Sequence, residues 1–211
     1  MEAREAILAR VHEALARSQQ GPAPEVVRAY RASSGVAPGS PEALELLTDR
    51  LVDYRARVHT ADEAGLPQVL AELLAAAGSV VVPPGLPWTG LLESLDLEVL
   101  GDTPPLGNAE LDRAGAVVTA ARVAIAETGT IVLDGQPDQG RRALSLVPDH
   151  HVCVLRRDQV VATVPEAVAV LGRHPERPQT WIAGPSATSD IELVRVEGVH
   201  GPRTLDVVIL G

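Results

Sequence analysis

The sequence predicts an α/β fold, with an open, mostly parallel or mixed sheet flanked by helices and preceded by an N-terminal helical extension. Three observations lead there. Short β-branched runs such as Ser79-Val80-Val81-Val82 read as buried strands. Segments with helical periodicity stand between several of those runs, an alternation that favours a sheet covered by helices. The chain has 211 residues and is 45% hydrophobic, enough to bury one substantial core.

From Glu2 to Arg17, Ile7, Leu8, Val11 and Leu15 recur at helical spacing and predict an amphipathic helix. Gly21, Pro22, Pro24, Gly35 and Pro38 punctuate the stretch from Gln19 to Pro38, which predicts a loosely held connection and a candidate boundary. Ser40 before Pro41 has the form of a helix start, and Leu44, Leu47, Leu51 and Tyr54 continue one face. Leu66 to Ala77 reads as the next helix, and the strand at Ser79 to Val82 ends at Pro83-Pro84-Gly85. Further strands are expected at Glu98 to Leu100, Ala116 to Thr119, Val123 to Ala126, Thr130 to Leu133, Val152 to Leu155, Thr180 to Ala183 and Leu205 to Leu210. Helices are expected at Trp88 to Leu95 and Pro165 to Leu171.

Composition removes several classes of function. The longest apolar runs are far too short to cross a bilayer, and the acidic N-terminus lacks the form of a secretory signal, so a cytoplasmic location is expected. A formal net charge of -10 would repel a phosphate backbone, which argues against nucleic acid as a partner. All 18 basic residues are arginines, so Schiff-base chemistry and a phosphate-loop lysine are excluded. Cys153 is the only cysteine, so this chain cannot build a disulfide framework, a cysteine-rich zinc site or an iron–sulfur cluster alone. No Gly-x-Gly-x-x-Gly fingerprint is present for a nucleotide cofactor. Pro148 to Cys153 holds the donors Asp149, His150, His151 and Cys153, but strand alternation separates His150 from His151 and Cys153. No metal site is expected from at most two ligands.

Three loops hold groups that can do chemistry. Glu127-Thr128-Gly129-Thr130 lies between two apolar runs, where hydroxyls and backbone N–H groups could converge on an anion. There Glu127, buried against Ile125 and Ile131, could act as a base or nucleophile; a plain glycine hairpin is the alternative. Gly184-Pro185-Ser186-Ala187-Thr188-Ser189-Asp190 follows a strand, and a glycine succeeded by hydroxyls and a helix start suits a carboxylate or phosphate. Ser189 and Glu192 also have the spacing of a capping box, a reading compatible with the first. Gly198-Val199-His200-Gly201-Pro202-Arg203 offers an imidazole that titrates near neutrality and a guanidinium that can grip a carboxylate, or else a structural turn. Arg141-Arg142 is either an anion clamp or a solvated pair, and the sequence leaves both open.

These loops, with Leu144-Ser145-Leu146-Val147-Pro148 through His151, together resemble the lactate utilization protein C family, the LUD-domain proteins. The resemblance spans roughly Ala61 to Gly211, which divides the chain into an extension at 1–60 and a LUD α/β domain at 61–211. It implies a fold like that of sugar-phosphate isomerases and CoA transferases. It also implies a component of a system that oxidises L-lactate to pyruvate, with no cofactor in this chain and iron–sulfur clusters on partner subunits. On that reading the protein is a subunit of a lactate-oxidising complex rather than a stand-alone enzyme, and it takes a small organic acid or phosphate. The candidate catalytic residues are then Glu127 and His200, and the candidate ligand-binding residues are Thr128, Gly129, Thr130, Gly184, Ser186, Thr188, Asp190 and Arg203. Two other readings stay open: an isomerase or acyl/CoA transferase using Glu127, and a non-enzymatic organic-acid sensor or scaffold.

Overall fold

The computed structural model describes residues 3–17, 25–188, 196–197 and 201–211. It divides into two compact units, Met1–Arg31 and Ala32–Gly211. The first holds α1 (Ala3–Arg17), where Arg17 pairs with Glu13 one turn back at 2.5 Å. The apolar stripe expected on this helix is there: Ile7, Leu8 and Val11 lie on the surface and no residue of α1 is buried.

The second unit is built on a six-stranded sheet. Its strands are β1 (Arg57–Ala61), β2 (Ser79–Val82), β3 (Glu98–Gly101), β4 (Ala116–Ala120), β7 (His150–Arg156) and β12 (Thr204–Leu210). They run in the order β1-β12-β7-β4-β2-β3, and every pairing is parallel. Parallel strands are buried on both faces, which is why β4 and β12 read as nearly continuous apolar runs. A second sheet joins β5 (Val123–Ile125), β6 (Thr130–Leu133), β8 (Val160–Val161) and β9 (Thr180–Ile182) in the order β8-β5-β6-β9. A short antiparallel pair, β10 (Ala187–Thr188) with β11 (Val196–Glu197), completes the set.

Helices cover both faces of the large sheet, as expected. Leu66, Leu70 and Leu74 of α3 (Leu66–Leu74) and Leu92 of α4 (Thr89–Leu92) pack with Val80, Val118, Val152 and Val208 on one face. On the other, Ala43, Leu47 and Leu51 of α2 (Pro41–Asp53) meet Cys153, Val207 and Ile209 together with Ala124 and Ile131 of the second sheet. Leu111 of α5 (Asn108–Arg113) extends that face over Val81 and Val117. The second sheet turns its far side, Val123, Ile125 and Val132, to Ala167 and Leu171 of α6 (Val164–Leu171). Ser40 caps α2 by accepting from Ala43 N, as the Ser-Pro start predicts.

Two expectations are corrected. The strands at 123–126 and 130–133 do not join the main sheet but form the hairpin of a separate one. The division at residue 60 also moves: α2 supplies three buried core residues and β1 begins at Arg57 in register with Asp206, so residues 41–60 are part of the α/β unit. Among the described residues, no helix is long and apolar enough to cross a membrane.

Candidate anion-binding groove

The groove starts where β2 and β3 end. A cavity of about 470 Å³ lies past their carboxyl ends, lined by Pro84 and Asp102 from the residues following those strands and by Gly140, Arg141, Arg142 and Ser145. In open parallel sheets this is the side on which ligands collect. A second cavity of about 290 Å³ shares Arg142, Ser145, Gln179 and Thr180 with the first and continues it to Gly184, Pro185, Ser186 and Pro202.

The two adjacent arginines have separate fates. Arg141 forks onto Asp102, with Nε to Oδ2 at 2.8 Å and Nη2 to Oδ1 at 3.0 Å, and Nη2 also donates to Leu106 O. Burial raises the Asp102 pKa, but the donors from Arg141 and Leu106 N outweigh it and leave the carboxyl below its usual range. The same pairing raises the pKa of Arg141. Its charge is therefore neutralised within the protein. Arg142 is exposed and has no carboxylate partner among the described residues, so its charge faces the groove. Ser145 lies beneath it, 4% exposed, donating to Arg142 O at 3.2 Å. Of the two adjacent arginines, one is thus spent on Asp102 and the other is exposed.

The candidate residues divide between two places. Ile131 pairs with Ile182, so the turn that starts β6 and the turn that leaves β9 lie at the same end of the second sheet. Gly184 and Ser186 then line the groove, and Ser186 N donates to Pro202 O at 2.8 Å. The turn at Glu127 instead packs on α2. Gly129 has φ +62, and a Cβ there would lie 2.8 Å from Arg50 Cβ and 3.0 Å from its carbonyl carbon. Its glycine is needed both for the left-handed conformation and for this approach. Glu127 N donates to Ala162 O at 3.0 Å, Gly129 N to Ala126 O at 3.4 Å, and Thr128 Oγ1 to Thr130 Oγ1 at 2.9 Å. These donors are committed within the protein. Glu127, expected to be buried, is exposed, because the 3₁₀ turn over 126–128 points it away from the apolar hairpin.

The backbone of Thr188 pairs with that of Val196, and Asp190, His200 and the capping box at Ser189 and Glu192 lie outside the described residues. Arg203 is exposed and faces Asp149 at 3.5 Å.

Sequence reasoning missed a charged cluster at the amino end of the large sheet. Asp206 on β12 is buried and accepts from Arg57 Nε at 2.8 Å and from a second nitrogen of that guanidinium. His59 and His150 each place Nε2 at 2.7 Å from it. Burial pushes the Asp206 pKa up, but these partners hold the carboxyl far below its usual range. A lone acid within the run Leu205 to Leu210 was the available signal, since a buried carboxylate requires partners. The next residue after His150, His151, is buried with Nε2 2.8 Å from Thr119 Oγ1. Burial, and then the proximity of His150, lower its pKa to about 4.

The parallel sheet with a hairpin sheet beside it makes this an α/β protein, and the LUD domain family model matches residues 107–210. A lactate utilization protein C from Deinococcus radiodurans is 54% identical over 172 residues, covering 81% of this chain and 80% of that protein. One from Anoxybacillus flavithermus is 29% identical, with 78% and 80% covered. The crystal structure of a DUF162 family protein from Deinococcus radiodurans superposes with a TM-score of 0.70 at 45% identity, covering 81% of this chain and 97% of that one. The chain belongs to the lactate utilization protein C family.

Proposed function

We propose that this protein is a component of an L-lactate utilization system, in which L-lactate is oxidised to pyruvate and iron–sulfur clusters reside on partner subunits. The observation that carries the reading is the 54% identity, over most of the chain, to a protein named lactate utilization protein C. The chain's own chemistry supports the division of labour. Cys153 is buried, and burial raises its thiol pKa to about 12, which suits a packing role rather than cluster ligation.

On this reading the groove is an anion-binding surface. Arg142 supplies the charge, and Asp102 keeps Arg141 in place as the wall. A carboxylate or phosphate group fits this chemistry. A stand-alone isomerase or CoA transferase using Glu127 is less well served, because that side chain is exposed and the N–H groups of Glu127 and Gly129 are committed. Affinity capture of the tagged protein from lactate-grown cells tests the partnership. Cysteine-rich partners with iron–sulfur absorption are expected in the recovered complex, and recovery of the chain without any such partner would overturn it.

A further inference from the structure

The second sheet ends on one side at β9 (Thr180–Ile182), which pairs with β6 along one edge only. Among the described residues no other backbone hydrogen bond reaches Thr180 to Gly184, and every residue from Gln179 to Gly184 is exposed or half-buried. An edge strand in this state presents a row of unpaired N–H and C=O groups.

The smaller part of the groove, about 290 Å³, runs along that row. Its lining takes in the chain from Gln179 to Ser186 without a gap. Alternate side chains of a strand point to opposite faces, so a cavity on one face would touch every second residue. Contact with Thr180, Trp181 and Ile182 in succession places the cavity against the backbone edge itself. Arg142 and Leu146, both exposed, contribute to the facing wall. Among the described residues the lining holds no acid and no other base, so Arg142 sets its charge positive. Trp181, 45% exposed, adds an apolar surface beside the edge.

We propose that this edge takes up an extended peptide segment carrying an acidic side chain. The segment adds to β9 as a further strand, its backbone meeting the outward N–H and C=O groups of the edge. Its carboxylate forks onto Arg142, and an apolar side chain rests on Trp181. A small free acid meets Arg142 alone, whereas the peptide meets Arg142 and the edge together, so the groove favours the polymer. The inference rests on the anion-binding reading of the groove and names a carboxylate carried on a polypeptide as its ligand.

The probe is a fluorescein-labelled pentapeptide, threonine-valine-glutamate-valine-threonine, blocked at both ends and followed by anisotropy. Glutamine in place of its glutamate should weaken binding about tenfold. Arg142→Ala should weaken the glutamate peptide by the same factor and leave the glutamine peptide unchanged; Arg142 is exposed, so this variant is expected to fold. Two further peptides carry N-methyl groups on alternate residues. An added strand directs one set of its N–H groups at its neighbour and the other set away, so one of the two should lose binding and the other keep it. Amide exchange at Thr180 to Ala183 should slow in the complex. No binding of the glutamate peptide, binding indifferent to Arg142→Ala, or equal binding of the two methylated peptides overturns the inference. Inorganic phosphate, titrated against Trp181 fluorescence in a Trp88→Phe background, separates the two claims. Phosphate binding that depends on Arg142, without peptide binding, leaves the anion-binding reading standing and removes only the peptide.

Discussion

At the residue scale, buried charge rather than apolar contact holds the amino end of the large sheet together. Asp206 joins Arg57 and His59 of β1 to His150 of β7, so one carboxylate ties three adjacent strands. Asp206→Asn removes the charge and leaves those donors poorly met; a loss of about 2–4 kcal/mol is expected in urea unfolding. His151 gives a pH signature of its own. Its folded pKa is about 4 against 6.5 in the free side chain, so the unfolded chain binds more protons between those values. The stability from keeping His151 neutral is complete above pH 6.5 and is lost as pH falls toward 4, roughly 3 kcal/mol in all. Urea midpoints measured across that window should fall with acidification, and His151→Gln should flatten the drop. A wild-type profile that is flat from pH 7 to 5 would contradict this assignment.

At the element scale, the hairpin turn and α2 depend on each other. Gly129 and Gly78 both have φ near +65, but an added Cβ meets Arg50 at 2.8 Å in one and nothing within 4 Å in the other. Gly78→Ala is expected to cost about 1–2 kcal/mol from conformation alone, and Gly129→Ala about 2–4 kcal/mol because the helix must also move. Equal costs in thermal unfolding would mean that the turn does not bear on α2. The elements that sequence reasoning found are those with a local period: the leucines of α2 and α3, and the β-branched runs of β2, β4 and β6. It missed β1, because Arg57-Val58-His59-Thr60-Ala61 is a partly exposed edge strand whose polar residues serve Asp206. It missed α5, which at six residues is too short to show a period. The split into two sheets depends on pairings such as Ile131 with Ile182, which no local pattern contains. In the groove, Gly184 and Ser186 could be read because glycine and hydroxyls cluster there. Which of Arg141 and Arg142 stays exposed could not, because it depends on Asp102 taking Arg141 from 39 residues away.

On the scale of the whole molecule, the α/β unit is layered: α3 and α4, the parallel sheet, then α2, α5 and the second sheet, and finally α6. The carboxyl ends of β2 and β3 open into the cavity beside Arg142. The amino end is closed by the Asp206 cluster and contributes stability. Substitutions of the exposed Arg142 and of the buried Asp206 should therefore separate in their effects, the first leaving stability intact. The most direct measurement is growth on L-lactate as sole carbon source after deletion of this protein, with complementation by wild type and by Arg142→Ala. The deletion should abolish growth on L-lactate but not on pyruvate, wild type should restore it, and Arg142→Ala should restore it only in part while the protein remains folded. Undiminished growth of the deletion strain on L-lactate would contradict the account.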